Sequence, residues 1–283
     1  MSLRLLSPAK VNLHLEVLER RGDGYHEILT LMQRISLFDE IEIQWGGQGI
    51  RLKAEGEAIP TGSDNLLIRA AQSFFEKAKI KEGMEIRIQK RIPVGAGLGG
   101  GSSNAATVLM SLNDQFKTGW DQERLMFEGA KLGADVPFFI FQKPALARGI
   151  GEKLSAVRLP EPVWYCLIIP PFRIATVWAY AAYDQLEKAD KSPMAIPDAY
   201  AVVEDLTPVL INDLELPALS RYPQIGGMKK KMDSLGAKGV LMSGSGPVIF
   251  GLFSSREEAE RVQKALQLPR DWRSVVAQGL GIE

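Results

Sequence analysis

One stretch of the chain decides the fold, and it reads Pro93-Val-Gly-Ala-Gly-Leu-Gly-Gly-Gly-Ser-Ser-Asn-Ala-Ala-Thr-Val-Leu109. Five glycines lie between positions 95 and 101, where they allow positive φ and let a ligand approach the main chain closely. The helix formers that follow predict a helix to about Leu112, capped by Ser102 or Ser103. Such a helix points free N–H groups and its positive dipole end at the loop. The stretch therefore predicts an anion site, usually for phosphate, rather than a flexible glycine linker.

Other known phosphate loops do not match this one. A P-loop needs Lys and then Ser or Thr directly after its last glycine, whereas Gly101 is followed by Ser102. Residues 95–100 satisfy the dinucleotide pattern G-x-G-x-x-G, but that fold needs a second strand soon afterwards, and residues 121–132 are predicted to be helical. A protein-kinase loop requires His-Arg-Asp and Asp-Phe-Gly sequences further on, and the chain contains neither.

Composition bounds the class of protein. The 283 residues are 46% hydrophobic and 24% charged, which is typical of a globular protein with a sizeable core. Lys plus Arg and Asp plus Glu both number 34, so no net charge favours nucleic acid or a membrane surface as a partner. The apolar stretches are too short to span a bilayer, and the N-terminus does not resemble a signal peptide. Cys166 is the single cysteine and is predicted to be buried. We therefore expect a cytoplasmic protein without a zinc site.

The order of the predicted elements indicates an α+β protein. Residues 11–17 alternate in polarity, which predicts a strand with one buried face. A turn at 20–24 is followed by extended chain to Gln44. Further predicted strands lie at 50–54 (a possible edge strand), 84–92, 163–169, 238–242, 248–253 and 275–277. One predicted helix begins at a cap on Asp64, and another ends at Gly133. Two more cover 175–186 and 198–206, and the last begins at a cap on Ser254 or Ser255. This mixed order favours two α+β layers over a repeated βαβ wind.

Three segments resemble the motifs of one kinase superfamily, which is named for galactokinase, homoserine kinase, mevalonate kinase and phosphomevalonate kinase. They are Ser7-Pro-Ala-Lys-Val-Asn-Leu13, the stretch 93–106, and Met242-Ser-Gly-Ser-Gly-Pro-Val-Ile-Phe250. Their order and wide separation also match that superfamily. The resemblance implies the two-domain GHMP-kinase fold. Its N-terminal domain, over residues 1–160, would be like ribosomal protein S5 domain 2, and its C-terminal domain, over 161–283, would be ferredoxin-like. ATP would be the phosphoryl donor.

Three more segments resemble one branch of that superfamily. They are Asp23-Gly-Tyr-His-Glu27, Leu132-Gly-Ala-Asp-Val-Pro137 and Gly149-Ile-Gly-Glu152. Members of this branch phosphorylate the tertiary 2-hydroxyl of a methylerythritol carried by cytidine diphosphate, in the non-mevalonate route to isoprenoid precursors. The resemblance thus implies two small-molecule substrates, ATP with Mg²⁺ and a cytidine diphosphate methylerythritol. We expect no nucleic acid or membrane partner and a monomer or weak dimer.

The resemblance gives two residues catalytic roles. Asp135 would accept the proton of the acceptor hydroxyl as a general base. The ammonium of Lys10 would keep that carboxylate ionised and neutralise charge on the moving phosphoryl group. By residue pattern alone, Asp135 fits a surface or capping aspartate, and Lys10 fits a solvated lysine at the start of a strand. Pro137 also favours an extended backbone at Val136, which would hold the carboxylate at a fixed turn.

The resemblance also implies the nucleotide site. Loop positions that would bind ATP are Pro93, Gly95, Gly97, Leu98, Gly99, Gly100, Gly101, Ser102 and Ser103. Asn65 and Leu66 would line the adenine pocket, although they also fit an ordinary helix opening. The hydroxyl of Ser102 or Ser103 is a candidate Mg²⁺ ligand, because hard cations prefer oxygen, and the alternative role for either serine is helix capping.

For the second substrate, the resemblance places Tyr25 and His26 at the cytosine. Tyr180 would stack on the base from the other domain, and its spacing from Thr176, a further substrate-binding position, favours it over the neighbouring tryptophan. The alternative for Tyr180 is a core position on an amphipathic helix. Asn12 would hold the diphosphate or the erythritol hydroxyls, and its alternative is an outward polar residue on a strand.

Two segments outside these sites also match. The loop 243–246 is predicted to close over the phosphates, which is compatible with its being a hairpin turn. Residues 212–215, Asn-Asp-Leu-Glu, resemble a family segment for which the sequence suggests no chemical role. Rival functions are a kinase of the same superfamily with another acceptor, a Rossmann oxidoreductase, and an inactive nucleotide-binding module.

Overall fold

A computed structural model describes residues 2–186 and 192–281 and confirms the α+β class. Its strands are β1 (Ser2–Arg20), β2 (His26–Trp45), β3 (Ile50–Gly56), β4 (Met84–Lys90), β5 (Ala145–Arg148), β6 (Lys153–Ala156), β7 (Trp164–Ile169), β8 (Ile211–Asn212), β9 (Val240–Met242), β10 (Ile249–Phe253) and β11 (Arg273–Gln278). Its helices are α1 (Leu66–Ala78), α2 (Gly100–Phe116), α3 (Gln122–Ala130), α4 (Val136–Phe141), α5 (Thr176–Tyr183), α6 (Glu215–Arg221), α7 (Pro223–Ser234) and α8 (Arg256–Ala265). A 3₁₀ helix covers Val203–Val209.

The chain divides into two compact units, each built from several segments. The first unit comprises Met1–Ala9, Leu37–Val94 and Gly99–Gln142, and the second comprises Lys10–Ser36, Gly95–Leu98 and Lys143–Glu283. Strands β1 and β2 therefore each begin in one unit and end in the other, and the glycine loop has residues 95–98 in the second unit and 99–101 in the first. The expected domain boundary at residue 160 stays a prediction.

In the first unit, β4 pairs in parallel with β3 and antiparallel with the second half of β2. Ile86 of β4 stands between Ile43 and Leu52 on the neighbouring strands, and all three side chains are buried. Strand β3 forms the sheet edge, as predicted for residues 50–54. Helix α1 buries its apolar stripe, which includes Phe74, and packs on α2.

The second unit contains an antiparallel sheet with the strand order β11-β7-β10-β9. Numbered by their order in the chain, these four strands lie in the order 4-1-3-2. Helices connect β7 to β9, and α8 connects β10 to β11. This is the expected ferredoxin-like arrangement. Strands β9 and β10 form the predicted hairpin, and Ser255 caps α8 by accepting the N–H of Glu258. Cys166 is buried in β7, and burial raises the pKa of its thiol to about 12.

Strand β1 differs from its prediction, because the segment from Ala9 to Val17 is buried on both faces. The polar side chains that alternation placed in solvent have partners inside the protein. His14 Nδ1 donates to the carbonyl of Val209 at 2.8 Å, and Glu16 accepts the N–H of Met194 at 2.8 Å. Alternation detects one apolar face, but it cannot tell a solvated polar face from a buried, hydrogen-bonded one.

Three predicted helix ends are wrong. Asn65, rather than Asp64, caps α1 by accepting the N–H of Leu67 at 2.9 Å. Helix α2 begins after Gly99, whose left-handed backbone occupies the cap position, so neither Ser102 nor Ser103 is the cap. Helix α3 ends at Ala130, and Gly133 does not take the left-handed conformation of a terminating glycine.

Other local predictions also need correction. Val136 begins helix α4 rather than extended chain, because Pro137 fits the first turn of a helix. The segment 198–206 holds the start of the 3₁₀ helix instead of an α-helix. The short strands β5 and β6 and the helices α6 and α7 were not predicted. Over residues 2–186 and 192–281, none of the helices has both the length and the hydropathy to cross a bilayer.

Candidate active site

The glycine loop opens helix α2 through left-handed residues. Gly95, Gly97 and Gly99 have φ of 65°, 78° and 68°, which L side chains rarely adopt. The N–H of Ser103 makes the first bond of the helix, to the carbonyl of Gly99 at 2.9 Å. The N–H groups of residues 100–102 precede that bond, so the positive end of the helix dipole lies at the loop. The predicted anion-binding geometry is therefore present.

A buried ion pair lies against the first residue of α2. Lys90 Nζ donates to Asp39 Oδ2 at 2.7 Å and to the carbonyl of Ile92 at 2.6 Å. Asp39 Oδ1 accepts the N–H groups of Arg91 and Ile92. A Cβ on Gly100 would stand 2.9 Å from Lys90 Nζ, so the ammonium lies against the first residue of α2. Burial lowers the pKa of Lys90, and the charge of Asp39 opposes that shift.

The Lys90–Asp39 pair is not predicted from the sequence. The available signal was weak, because Lys90 ends a strand just before the glycine loop and Asp39 precedes it by 51 residues. Since the carboxylate also holds the two backbone N–H groups that lead into the loop, the pair fixes the approach of the chain to Gly100.

The two loop serines have different surroundings. Ser103 is fully buried, and its Oγ lies 2.8 Å from that of Ser7. Ser102 is partly exposed, and a Cβ on Gly133 would lie 3.7 Å from its Oγ. The hydroxyl of Ser102 therefore lies against the segment that leads to Asp135, whereas the hydroxyl of Ser103 is committed to the packing of β1.

Asp135 occupies the N-cap position of α4, but its side chain makes no capping hydrogen bond. Helix α4 is held close to α3, because a Cβ on Gly129 would come within 2.8 Å of Val136 and 2.9 Å of Ile140. This tight packing fixes the backbone that carries Asp135, while its side chain remains partly exposed. The alternative role of Asp135, capping a helix with its side chain, is therefore wrong.

The two adenine candidates, Asn65 and Leu66, differ in what their side chains contact. Leu66 Cδ1 would lie 3.7 Å from a Cβ on Gly101, so its side chain contacts the exposed end of the glycine loop. Asn65 uses its side chain locally, since it accepts from Leu67 and donates to the carbonyl of Pro60 at 2.7 Å. Leu66 can offer apolar surface to a ligand, whereas the amide of Asn65 already holds the helix opening.

In the second unit, Lys10 is not a solvated lysine, since only 4% of it is exposed. Its ammonium donates to Asn12 Oδ1, and its backbone N–H donates to the carbonyl of Leu98 at 3.0 Å. Asn12 Nδ2 in turn donates to Thr30 Oγ1 at 2.8 Å. The structure thus brings together the predicted residues Lys10 and Asn12, and the backbone of Lys10 joins them to Leu98 in the middle of the glycine loop.

The loop 243–246 packs directly on the glycine loop. Ser243 Oγ accepts the N–H of Asn12 at 3.2 Å and donates to the carbonyl of Gly97 at 2.9 Å. A Cβ on Gly244 would stand 3.1 Å from Asn12 Oδ1. The two glycine-rich segments are therefore in contact, and no side chain fits at position 97, because a Cβ there would stand 1.9 Å from the carbonyl oxygen of Ser243.

The segment 212–215, which had no predicted role, holds the loop 243–246 in place. Asn212 Nδ2 donates to the carbonyls of Met242 at 2.7 Å and Gly244 at 2.8 Å. Glu215 accepts the N–H of Met242 at 3.0 Å. Asp213 accepts the N–H of Val17 on β1 at 2.7 Å. These contacts span more than 25 residues of sequence, so no local pattern could have predicted them.

The residues predicted at the base also meet within the second unit. The ring of His26 stacks on Tyr180 with centroids 5.1 Å apart, and its Nε2 lies 2.9 Å from Asp184 Oδ1. Tyr25 is 60% exposed, so its ring is available to a ligand. Thr176 Oγ1 lies 3.0 Å from Ser245 Oγ, which joins α5 to the loop 243–246. Tyr180 is partly buried, so it shares features of both alternatives.

Lys10 and Asp135 belong to different units, and their predicted pairing stays a prediction. Within the described ranges, no group of three or more His, Cys, Asp or Glu side chains is arranged to hold a metal ion. Helix α3 lies within the segment 121–132 that was predicted to be helical, where a dinucleotide fold needs its second strand. This removes the structural basis for a Rossmann oxidoreductase.

Comparison with known proteins gives two matches to family models, "GHMP kinases N terminal domain" over residues 65–143 and "GHMP kinases C terminal" over 203–269. Curated relatives include the 4-diphosphocytidyl-2-C-methyl-D-erythritol kinases of Syntrophotalea carbinolica and Geobacter metallireducens. The first is 47% identical over 95% of this chain and 96% of its own, and the second 45% identical over 99% of both.

Solved structures agree with these family matches. A crystal structure of 4-(cytidine 5'-diphospho)-2C-methyl-D-erythritol kinase matches with a TM-score of 0.82 and 38% identity, over 99% of this chain and all of its own. Methanococcus jannaschii mevalonate kinase matches with a TM-score of 0.72 over 99% of both chains, and at 13% identity this likeness shows the fold alone.

Proposed function

This chain belongs to the 4-diphosphocytidyl-2-C-methyl-D-erythritol kinases of the GHMP kinase family, and from that membership we propose that it phosphorylates the 2-hydroxyl of 4-diphosphocytidyl-2-C-methyl-D-erythritol in the non-mevalonate route to isoprenoid precursors. It is a kinase that acts on small molecules, and kinases of this family use ATP as the phosphate donor. The observation that carries the proposal is the left-handed glycine loop at the start of α2, above the ammonium of Lys90.

ATP is held, in this proposal, by the glycine loop. The N–H groups of residues 100–102 point at the β- and γ-phosphates, and the helix dipole supplies positive potential. Pro93, Gly95, Gly97 and Leu98 shape the rest of the loop, and Ser243 keeps Gly97 in position. Leu66 provides apolar surface for the adenine, and Asn65 maintains the helix opening beside it.

Phosphoryl transfer relies on positioning and charge rather than on covalent chemistry with the protein. Asp135 accepts the proton of the 2-hydroxyl, late in a loose transition state, because an alcohol is far too weak an acid to lose it beforehand. Lys10, fixed by its bond to Asn12, neutralises charge on the phosphoryl group and on Asp135. The rigid packing of α4 and the burial of Lys10 support these roles.

Mg²⁺ is proposed to enter with ATP. The ion prefers oxygen donors, keeps several waters and needs few protein ligands besides the phosphates. Ser102, whose hydroxyl is partly exposed and lies against the segment leading to Asp135, fits as its ligand, and Ser103 fits less well because it bonds to Ser7. The bound ion would neutralise phosphate charge.

The cytidine end of the substrate is assigned to the second unit. Tyr25 offers an exposed ring for stacking, Tyr180 and His26 form a stacked pair, and Thr176 and Asn12 provide polar contacts for the ribose or diphosphate. We further place the enzyme in the cytoplasm as a monomer or weak dimer, with the domain boundary near residue 160.

A substrate comparison tests this proposal. ADP release should be measured with ATP and, in parallel, the cytidine substrate, homoserine and mevalonate. We expect turnover with the cytidine substrate alone. Equal or faster turnover with homoserine or mevalonate would assign the chain to another acceptor within the same family, and no turnover with any of them would support an inactive nucleotide-binding module.

A further inference from the structure

The carboxylate of Asp184 holds the ring of His26 at its Nε2 atom. His26 Nε2 lies 2.9 Å from Asp184 Oδ1, and the side chain of His26 is only 7% exposed. We propose that Asp184 selects the tautomer of His26 and thereby makes the base site prefer cytosine to uracil. This inference rests on the proposed function, since it concerns the base of the same nucleotide substrate.

The tautomer follows from hydrogen-bond chemistry. A carboxylate can only accept, so Nε2 of His26 must carry the proton it donates to Asp184. In the neutral ring the other nitrogen, Nδ1, is then a bare acceptor. Within the described residues Nδ1 has no hydrogen-bond partner, and it is not among the buried polar atoms shut off from solvent. An acceptor is thus presented to whatever enters the site.

Helix α5 positions both groups that contact His26, the ring of Tyr180 and the carboxylate of Asp184. Asp184 directly follows α5, and its N–H donates to the carbonyl of Tyr180 at 2.9 Å. Tyr180, one turn earlier, stacks on the face of the His26 ring at an interplanar angle of 24°. Arg20 lies 3.9 Å from the second oxygen of Asp184. The ring can therefore neither turn over nor exchange its tautomer freely.

Cytosine and uracil differ at the atom that an acceptor would read. Cytosine carries an N4 amino donor, and uracil carries a carbonyl oxygen at the equivalent position. An acceptor at Nδ1 of His26 pairs with the amino group, whereas it faces the lone pairs of the uracil oxygen and leaves both groups unpaired. Asp184 does not touch the base in this scheme, so it is a positioning residue that acts through His26.

Asp184→Asn tests the proposal, because an amide can either accept from Nε2–H or donate to a bare Nε2 and so permits both tautomers. We expect kcat/KM to fall for the cytidine substrate and to rise for its uridine analogue. The ratio of kcat/KM for the cytidine substrate to kcat/KM for the uridine analogue should fall by about ten-fold, which is the effect of one buried hydrogen-bonding group left unpaired. Asp184→Glu should keep the wild-type ratio, since it retains an acceptor. Asp213→Asn, which removes a nearby carboxylate bound to Val17 and Tyr183, should keep it as well.

Nitrogen-15 NMR of the imidazole rings gives an independent readout in the free protein. The chain has two histidines, His14 and His26, so assignment needs only one variant. We expect Nε2 of His26 to be protonated and Nδ1 bare in the wild type and in Asp184→Glu, and a tautomer mixture in Asp184→Asn. A wild-type ring protonated at Nδ1, or an Asp184→Asn variant with unchanged tautomer and unchanged ratio, would overturn the proposal.

Two further outcomes separate this inference from the proposed function. If Asp184→Asn lowers kcat/KM equally for both nucleotides, Asp184 is only structural and the inference is wrong, although the kinase assignment stands. If the wild type turns over neither nucleotide, the proposed function fails and the base preference fails with it. In that case the NMR spectrum still decides whether Asp184 controls the tautomer of His26.

Discussion

The hydroxyl of Ser243 donates to the carbonyl of Gly97 at 2.9 Å, and a Cβ on Gly97 would stand only 1.9 Å from the carbonyl oxygen of Ser243. Two glycine-rich segments, 146 residues apart, are thus in backbone contact. Because the contact leaves no room for a side chain, the position of the phosphate loop depends on residue 97 being glycine.

Gly97→Ala is therefore expected to displace the loop and weaken ATP binding about ten-fold or more, since a clash with backbone cannot relax through a side chain. Gly119→Ala is the matched control. Gly119 has a similar φ of 70°, but a Cβ there would meet nothing within 4 Å. It should share the backbone strain, about 1 kcal/mol of stability, without losing ATP affinity. Calorimetry with a non-hydrolysable ATP analogue compares them, and equal ATP affinity in both variants would contradict the prediction.

Asn212→Asp tests whether the loop 243–246 serves the nucleotide. The change is isosteric, but it replaces two N–H donors by a carboxylate oxygen that faces the carbonyls of Met242 and Gly244. We expect KM for ATP to rise about ten-fold, the loss of one to two buried hydrogen bonds, with a smaller change for the cytidine substrate. Asp213→Asn loosens β1 instead and should leave the KM for ATP unchanged. A similar rise in both variants would mean a general loss of structure.

Asp135→Asn keeps the size of the side chain and removes its charge. If Asp135 is the general base, kcat should fall by about 10²–10⁴ while both substrates still bind, because the interaction is needed only as the proton is transferred. Steady-state kinetics together with binding of the ATP analogue measures this split. A kcat within a few-fold of the wild type would remove Asp135 from the mechanism.

Lys90→Met should lower the free energy of unfolding by about 3–5 kcal/mol, since it leaves the buried carboxylate of Asp39 without its counter-charge. The pKa of Lys90 is lowered in the folded state by burial, below its usual 10.5, so the unfolded chain binds more protons between the two values. The stability of the wild type relative to Lys90→Met should therefore increase as pH rises through the lowered pKa towards 10.5. Urea unfolding at neutral and alkaline pH measures both effects. A pH-independent difference would mean that the pKa of Lys90 is the same in the folded and unfolded chain.

The sequence predicted what short-range rules control. Glycines at 95, 97 and 99 imply left-handed backbone, and all three are left-handed. The apolar stripe of α1 and the β9–β10 hairpin follow from periodicity and turn residues in the same way. The wrong caps have a local cause too. Asp64 and Asn65 are neighbours that can both cap a helix, and only the position of the first helical residue decides between them.

What the sequence did not predict depends on distant contacts. The pair of Lys90 and Asp39 and the contacts of Asn212 with the loop 243–246 join residues 30 to 51 positions apart. Likewise, the burial of His14 depends on a carbonyl 195 residues away, so alternation alone placed it in solvent. Each of these residues is polar and looks ordinary in sequence, and its role is visible only where the fold brings its partner.

The most direct test of the proposed activity is the structure of its product. The chain should be incubated with ATP, Mg²⁺ and 4-diphosphocytidyl-2-C-methyl-D-erythritol, and the new phosphomonoester examined by phosphorus-31 NMR. The 2-carbon is tertiary and carries no hydrogen, so phosphate on its oxygen should give a resonance without three-bond coupling to a proton. A resonance split by such coupling would place the phosphate on another hydroxyl, and no new resonance would contradict the proposed activity altogether.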